Sequence, residues 1–179
     1  DPVTLTGEFR ALFEKNFQIT KELSALSRYL GYENLSPDLS VHCRTGAWVI
    51  DGAGTACVTT AETIAKFAYF YINQSGLENV FVCSSNPGDA LKIAKDIDRL
   101  VKTCTLHMSR AFDFQPSFLN SGIAILDFLT IKKSRMVLNS GISTFSAFAA
   151  LLGQAELVTF LDSETVVSRA PVFGSGLGI

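Results

Sequence analysis

Small and polar residues follow a short apolar run late in the chain, in a pattern that suits an anion. The pattern predicts a buried strand over Arg135–Leu138, a turn over Asn139–Ile142, and a helix that opens at Ser143 and Thr144. The first N–H groups of a helix lack partners within it, and the helix dipole favours negative charge there. The hydroxyls of Ser140, Ser143 and Thr144 are further donors. The stretch therefore predicts a phosphate-sized site, unless Ser143 or Thr144 only caps the helix.

A histidine and an arginine close an earlier predicted strand, Leu39–Arg44. The Arg44 guanidinium, at the start of a glycine-containing loop, can pair bidentately with a phosphate or diphosphate. A structural ion pair with a carboxylate is the alternative. His42 lies two residues earlier and so faces the same side of the strand. It is either a general base or hydrogen-bond donor to a sugar or phosphate, or a core histidine.

Two further groups of polar residues could contribute to the same site. Ser84, Ser85 and Asn86 follow the apolar strand Val80–Cys83 directly. Asp127 sits among apolar residues of a predicted helix. A carboxylate in that setting either ties down a neighbouring loop or contacts a ligand hydroxyl or base.

The elements that must position these residues alternate between strands and helices, and the strands are apolar on both faces. This alternation predicts an α/β fold: a doubly wound, mostly parallel, Rossmann-like sheet with helices on both faces. In such sheets ligands bind beyond the carboxyl ends of the strands, which is where the three polar groups fall. The expected organisation is a helical segment over 1–34, a Rossmann-like domain over 35–165 and an extended tail over 166–179. The predicted elements are a helical region over 5–30 interrupted near Asn16–Thr20, a loop over Thr45–Val58, helices from Thr60 to Gln74, Gly88 to Ile97, Leu119 to Lys133 and 143 to 152, and strands over Leu100–Leu106 and Leu157–Leu161.

Composition and missing motifs exclude several function classes. The 179 residues carry a net charge of −2 with a pI near 5.7, which argues against a nucleic-acid binder that neutralises phosphates. The longest uncharged run, Met136–Ala155, is broken by Asn139, Gly141 and Gln154, so no membrane span is expected. Four cysteines and two histidines show no metal-ligand spacing, so no metal is expected either. No nucleophile elbow, Walker loop or dinucleotide fingerprint stands at a strand–helix turn.

Taken in order, the strand ends resemble the motifs of the GDP-fucose-dependent fucosyltransferases, with the α1,2 branch the nearest. Ser40–Gly46 resembles that superfamily's H-x-R-x-G-D motif, and Val80–Asn86 resembles its apolar strand ending in S-D-D. The block from Asp127 to Ser146, which contains S-T-F-S, resembles its third motif. The order and spacing of these three motifs agree with those of the superfamily over roughly residues 35–155.

The resemblance implies a GT-B-type glycosyltransferase whose C-terminal, nucleotide-sugar-binding half is the domain over 35–165. Such an enzyme would bind GDP-fucose and transfer fucose, with inversion, to a glycan or protein hydroxyl. It implies neither metal nor cofactor, so charge on the departing GDP would fall to arginine and backbone donors. For a true fucosyltransferase it also implies the Golgi lumen. The implied catalytic residues are Arg44 and His42, and the implied nucleotide-sugar-binding residues are Gly46, Ser84, Ser85, Asn86, Asp127, Ser143, Thr144 and Phe145.

The chain departs from the family pattern in three respects, and these favour a second hypothesis. Ala47 replaces the usual acidic residue after the motif glycine, and the S-D-D element is reduced to Ser85-Asn86. Only a short helical segment precedes the motif strand. The alternative is a catalytically inactive relative that serves as a structural or interaction subunit and binds protein partners.

Overall fold

A computed structural model describes residues 2–43, 46–49, 56–84, 86–110, 118–140, 143–160 and 166–171. Its main sheet has six strands in the order β5-β4-β1-β6-β7-β8, and β2 and β3 form a separate antiparallel hairpin. The first five strands of the main sheet run parallel, and β8 is antiparallel to β7. The strands are β1 (Leu39–Cys43), β2 (Gly46–Val49), β3 (Ala56–Thr59), β4 (Asn79–Ser84), β5 (Thr105–Met108), β6 (Met136–Ser140), β7 (Glu156–Phe160) and β8 (Val166–Pro171).

In the described part of the chain, helices cover both faces of this sheet, which confirms the predicted doubly wound α/β fold. One face packs against α3 and α4 and the other against α5, α6 and the end of α2, each through its own apolar cluster. Strands buried on both sides explain the continuous apolar runs in the sequence. The helices are α1 (Pro2–Asn16), α2 (Lys21–Leu30), α3 (Ala61–Ser75), α4 (Pro87–Leu100), α5 (Phe118–Lys132) and α6 (Thr144–Gly153).

Local signals set most helix ends where the sequence predicts them. The hydroxyls of Thr20 and Thr60 accept hydrogen bonds from Leu23 N and Thr63 N, each at 3.2 Å, and so begin α2 and α3. Gly31 ends α2 with a left-handed φ of 79°, a conformation that glycine adopts without strain. The expected interruption near Asn16–Thr20 is the break between α1 and α2.

Four predictions of secondary structure need correction. The strand predicted to end at Leu138 continues as β6 through Asn139 and Ser140, the first two residues of the predicted turn, because both pair with β7. The segment predicted as the loop Thr45–Val58 contains the hairpin strands β2 and β3, which pair Gly46 with Thr59. The strand predicted from Leu100 begins only at Thr105, because α4 continues through Leu100. Part of the predicted tail forms β8, the antiparallel edge strand beside β7. In each case pairing with another strand, or continuation of a helix, decided what local composition left open.

No helix among the described residues is both long enough and apolar enough to cross a membrane.

Candidate active site

The three polar strand ends meet at one edge of the sheet, as the sequence predicts. β1 lies between β4 and β6, so His42 pairs in register with Cys83 on one side and Asn139 on the other. Cys43 likewise pairs with Ser84. Residues in register on parallel strands point to the same face. His42, Cys83 and Asn139 therefore share the face that α5 and α6 cover.

His42 also approaches the first turn of α6. Its ring centroid lies 5.4 Å from that of Phe145, with the two planes inclined by 37°. Phe145 in turn packs edge-on against Phe128 of α5, at 5.5 Å between centroids. The aromatic contacts hold the first turn of α6 against the end of β1, and so bring two of the predicted site residues together.

The N-terminus of α6 differs from those of α2, α3 and α4. Those three helices begin at a side chain that accepts a hydrogen bond from the first turn, whereas Ser143 occupies the N-cap position of α6 without a side-chain capping bond. Ser143 is half-buried and Thr144 is exposed. First-turn N–H groups that lack a side-chain cap keep their capacity to bind an anion. Ser143 therefore stands at the N-cap position, but its hydroxyl does not cap the helix.

Ser84 and Asn86 have structural partners of their own. The Asn86 side chain accepts a hydrogen bond from Gly88 N at 3.0 Å and caps α4. Ser84 Oγ accepts a hydrogen bond from Asn86 N at 3.0 Å. Their contact with a nucleotide stays a prediction. α4 thus begins with a cap that the chain itself supplies, unlike α6.

Asp127 is buried and joined to two segments that lie far from it in the chain. Its Oδ1 accepts a hydrogen bond from Tyr32 Oη at 2.7 Å, and its Oδ2 accepts one from Ser109 Oγ at 2.7 Å. Tyr32 Oη itself accepts a hydrogen bond from Arg110 N at 2.9 Å. Burial raises the pKa of Asp127 from an ordinary value of 3.8 to about 6, against the opposing effect of both hydrogen bonds.

This network holds the segments that follow α2 and β5 against α5. It is therefore the first of the two roles that the sequence allowed for Asp127, that of fixing a neighbouring loop. Its contact with a ligand stays a prediction. Tyr32 and Ser109 were not identified from the sequence. No local signal marks them, because both partners come from distant parts of the chain.

Two further polar groups at this edge were not among the predicted site residues. Asn139 is 1% exposed and Ser146 is fully buried, and Asn139 Oδ1 and Ser146 Oγ have no hydrogen-bond partner among the described residues. Asn139 follows three apolar strand residues, and Ser146 shares the buried side of α6 with Ala149 and Ala150. A polar residue in an otherwise apolar buried run was the available signal.

Several predicted site residues lie outside the described part of the structure. They include Arg44 and Ser85. Gly46 is described only as the first residue of β2.

A cavity lined by described residues lies elsewhere, between α2 and α5. It measures about 570 Å³, and its walls, which include Leu23, Leu26, Tyr29 and Ile125, are almost entirely apolar. A nucleotide would fit by volume, but walls that are almost entirely apolar do not suit a diphosphate. Within the described ranges no group of three or more His, Cys, Asp or Glu residues could hold a metal ion.

Comparison with solved structures supports a fucosyltransferase-like fold. A mutant of Arabidopsis thaliana FUT1 in complex with GDP matches with a TM-score of 0.56 and 14% identity, over 85% of this chain and 35% of that one. The NodZ α-1,6-fucosyltransferase, soaked with GDP-fucose, matches with a TM-score of 0.50 and 16% identity, over 89% of this chain and 52% of that one. The expected GT-B-type fold is thereby confirmed, while the chain spans only about a third to a half of these neighbours.

No family model matches the sequence, and no curated protein matches it. At these identities the structural likeness establishes the fold and leaves the activity to be argued from the site.

Proposed function

We propose that this domain binds GDP-fucose and transfers fucose, with inversion, to a hydroxyl of a glycan or protein. One observation carries the proposal: the N-terminus of α6, which lacks a side-chain cap, stands beside His42 at the carboxyl edge of the sheet. It does so in a fold shared with one protein bound to GDP and another soaked with GDP-fucose. A helix N-terminus at that edge suits a diphosphate by both geometry and charge.

In this proposal the diphosphate accepts hydrogen bonds from the first-turn N–H groups of α6 and from the hydroxyls of Ser143 and Thr144. Arg44, which follows β1 directly in the chain, pairs with the β-phosphate. These fixed donors stabilise the charge that develops on GDP as it leaves, without a metal ion or other cofactor.

The reaction breaks the bond between the anomeric carbon of fucose and the β-phosphate oxygen, and GDP departs with that electron pair. The acceptor oxygen attacks the opposite side of the same carbon, so the configuration inverts. The acceptor proton passes to a general base. His42 is the candidate at this edge, because it lies in the row of residues that faces α6.

The finer assignment rests on the motif resemblance. The S-T-F-S element at Ser143–Ser146 and the H-x-R-x-G element at His42–Gly46 are most similar to the α1,2 branch. We therefore expect the acceptor to be a glycan hydroxyl and the enzyme to work in the Golgi lumen.

Calorimetry with GDP tests the donor site. We expect the wild-type chain to bind GDP and Arg44→Ala to lose about 2 kcal/mol or more, as removal of a charge-assisted contact to a buried phosphate would. The matched control is Arg135→Ala, which removes an exposed arginine at the opposite, amino edge of the sheet and should leave the affinity unchanged. Absence of GDP binding at millimolar concentration would refute the proposal.

A second assay separates an enzyme from an inactive relative. Release of GDP from GDP-fucose, measured with and without a panel of glycan acceptors carrying a free 2-hydroxyl, reports transfer. Binding of GDP without any acceptor-dependent release would leave the domain as a binding subunit.

A further inference from the structure

Asn139 and Ser146 lie on facing elements at the proposed donor site. Asn139 is the penultimate residue of β6 and pairs in register with His42 on β1 and with Thr159 on β7. Ser146 belongs to the first turn of α6, on its buried side. Because His42 contacts Phe145 of that same turn, the row of strand residues that includes Asn139 lies beneath the start of α6.

Both side chains carry a buried oxygen without a partner in the described structure. A buried acceptor that lacks its hydrogen bond costs about 1–3 kcal/mol of folding free energy. Folded proteins rarely keep such groups, and those they keep are often found where a ligand or water completes the bond. Two of them at one strand–helix junction point to a group that arrives from outside.

The chemistry of the two oxygens defines that group. A carboxamide oxygen only accepts hydrogen bonds, so Asn139 Oδ1 cannot bind a deprotonated phosphate oxygen. It requires an O–H or N–H donor, and the donors of a nucleotide sugar that lie next to its diphosphate are the sugar hydroxyls. The N–H groups at the start of α6 require an acceptor. A ligand that satisfies both has a hydroxyl close to an anionic group.

We infer that Asn139 and Ser146 bind a sugar hydroxyl next to the diphosphate, either of the ribose or of the transferred fucose. This inference rests on the proposed function, because it assumes that the diphosphate lies at the N-terminus of α6. With these contacts, Asn139 and Ser146 would let the site distinguish a nucleotide sugar from a simple polyphosphate.

Calorimetry on wild type and Asn139→Leu tests the inference with three probes: pyrophosphate, GDP and GDP-fucose. Leu has similar size and removes the acceptor, so thermal unfolding of the ligand-free variant should occur at or above the wild-type temperature. We expect the affinity of Asn139→Leu for pyrophosphate to change less than about twofold, while its affinity for GDP-fucose falls about tenfold. An equal loss for GDP places the contact on the nucleoside, whose ribose hydroxyls lie nearest the diphosphate, and loss for GDP-fucose alone identifies a fucosyl hydroxyl.

Ser146→Ala is the second variant and removes only one oxygen, so that folding is preserved even if Asn139→Leu is disturbed. It should weaken nucleotide binding in the same direction. Ser40→Ala is the matched control, because Ser40 is also buried on this sheet but has a partner, Ser134 Oγ, at 2.6 Å. That control should lower stability and leave nucleotide affinity unchanged.

Two outcomes overturn the inference in different ways. Unchanged nucleotide affinity in Asn139→Leu and Ser146→Ala, with wild type binding GDP, means that a water alone satisfies these oxygens. An equal loss for pyrophosphate means that the residues act on the anion site itself. Failure of wild type to bind any of the three probes refutes the proposed function, and the inference falls with it.

Discussion

Asp127 should make the stability of this protein fall as the pH rises through the acid range. Its pKa is raised by burial from 3.8 to about 6, so the folded state holds the proton more tightly than the unfolded state does. The contribution of this group to stability is therefore greatest below pH 4, decreases between about pH 4 and pH 6, and is constant above. A difference of about two pH units, at about 1.4 kcal/mol each, corresponds to about 3 kcal/mol.

Asp127→Asn isolates this effect. The amide oxygen can still accept a hydrogen bond from Tyr32, and the Ser109 hydroxyl can rotate to accept one from the amide nitrogen. The variant keeps the network but cannot ionise. We expect the free energy of unfolding of wild type, minus that of the variant, to fall by about 3 kcal/mol between pH 4 and pH 7.

Urea titrations at half-unit pH steps measure this difference, and subtracting the variant removes the contributions of all other groups. Asp38→Asn is the control with the opposite sign. Asp38 accepts hydrogen bonds from Asn79 N at 2.9 Å and Glu78 N at 3.1 Å, which lower its pKa. The free energy of unfolding of wild type, minus that of Asp38→Asn, should therefore increase as the pH rises. A difference for Asp127→Asn that stays constant across pH would refute the assignment of a buried, reluctantly ionised carboxylate.

The remaining substitutions lie at helix ends, apart from one at a glycine inside α1. A Cβ at Gly153 would lie 1.9 Å from the Lys132 carbonyl oxygen, so Gly153→Ala should cost about 2 kcal/mol or more in urea titrations. Gly7→Ala meets nothing within 4 Å and should gain up to about 1 kcal/mol, and equal effects of the two changes would contradict this packing. Thr60→Ala removes a formed cap and should cost about 1 kcal/mol. Ser143→Ala removes none and should cost under about 0.5 kcal/mol while weakening GDP binding, and a loss as large as that of Thr60→Ala would show that Ser143 is a structural cap.

Local chemistry in the sequence was enough to predict the alternating elements and the edge of the sheet where polar residues gather. Thr60 and Asn86 each begin a helix through a hydrogen bond to a residue two or three positions away, so their capping role can be predicted from the sequence alone. The position of His42 at the end of an apolar run likewise predicts a strand end. Such signals depend on neighbours in the chain, and the sequence contains those neighbours.

The tertiary structure decided whatever depends on partners far apart in the chain. Strand pairing turned part of the predicted loop into a hairpin and part of the tail into β8. The bond between Asp127 and Tyr32 spans 95 residues, and the register of β1 with β6 sets Asn139 beside His42. The type of a residue does not reveal which distant residue it will contact, because contacts of this kind arise only when the sheet has formed. The sequence by itself therefore predicted the edge of the sheet where a site is expected, and the fold decided which polar groups there have a hydrogen-bond partner among the described residues and which have none.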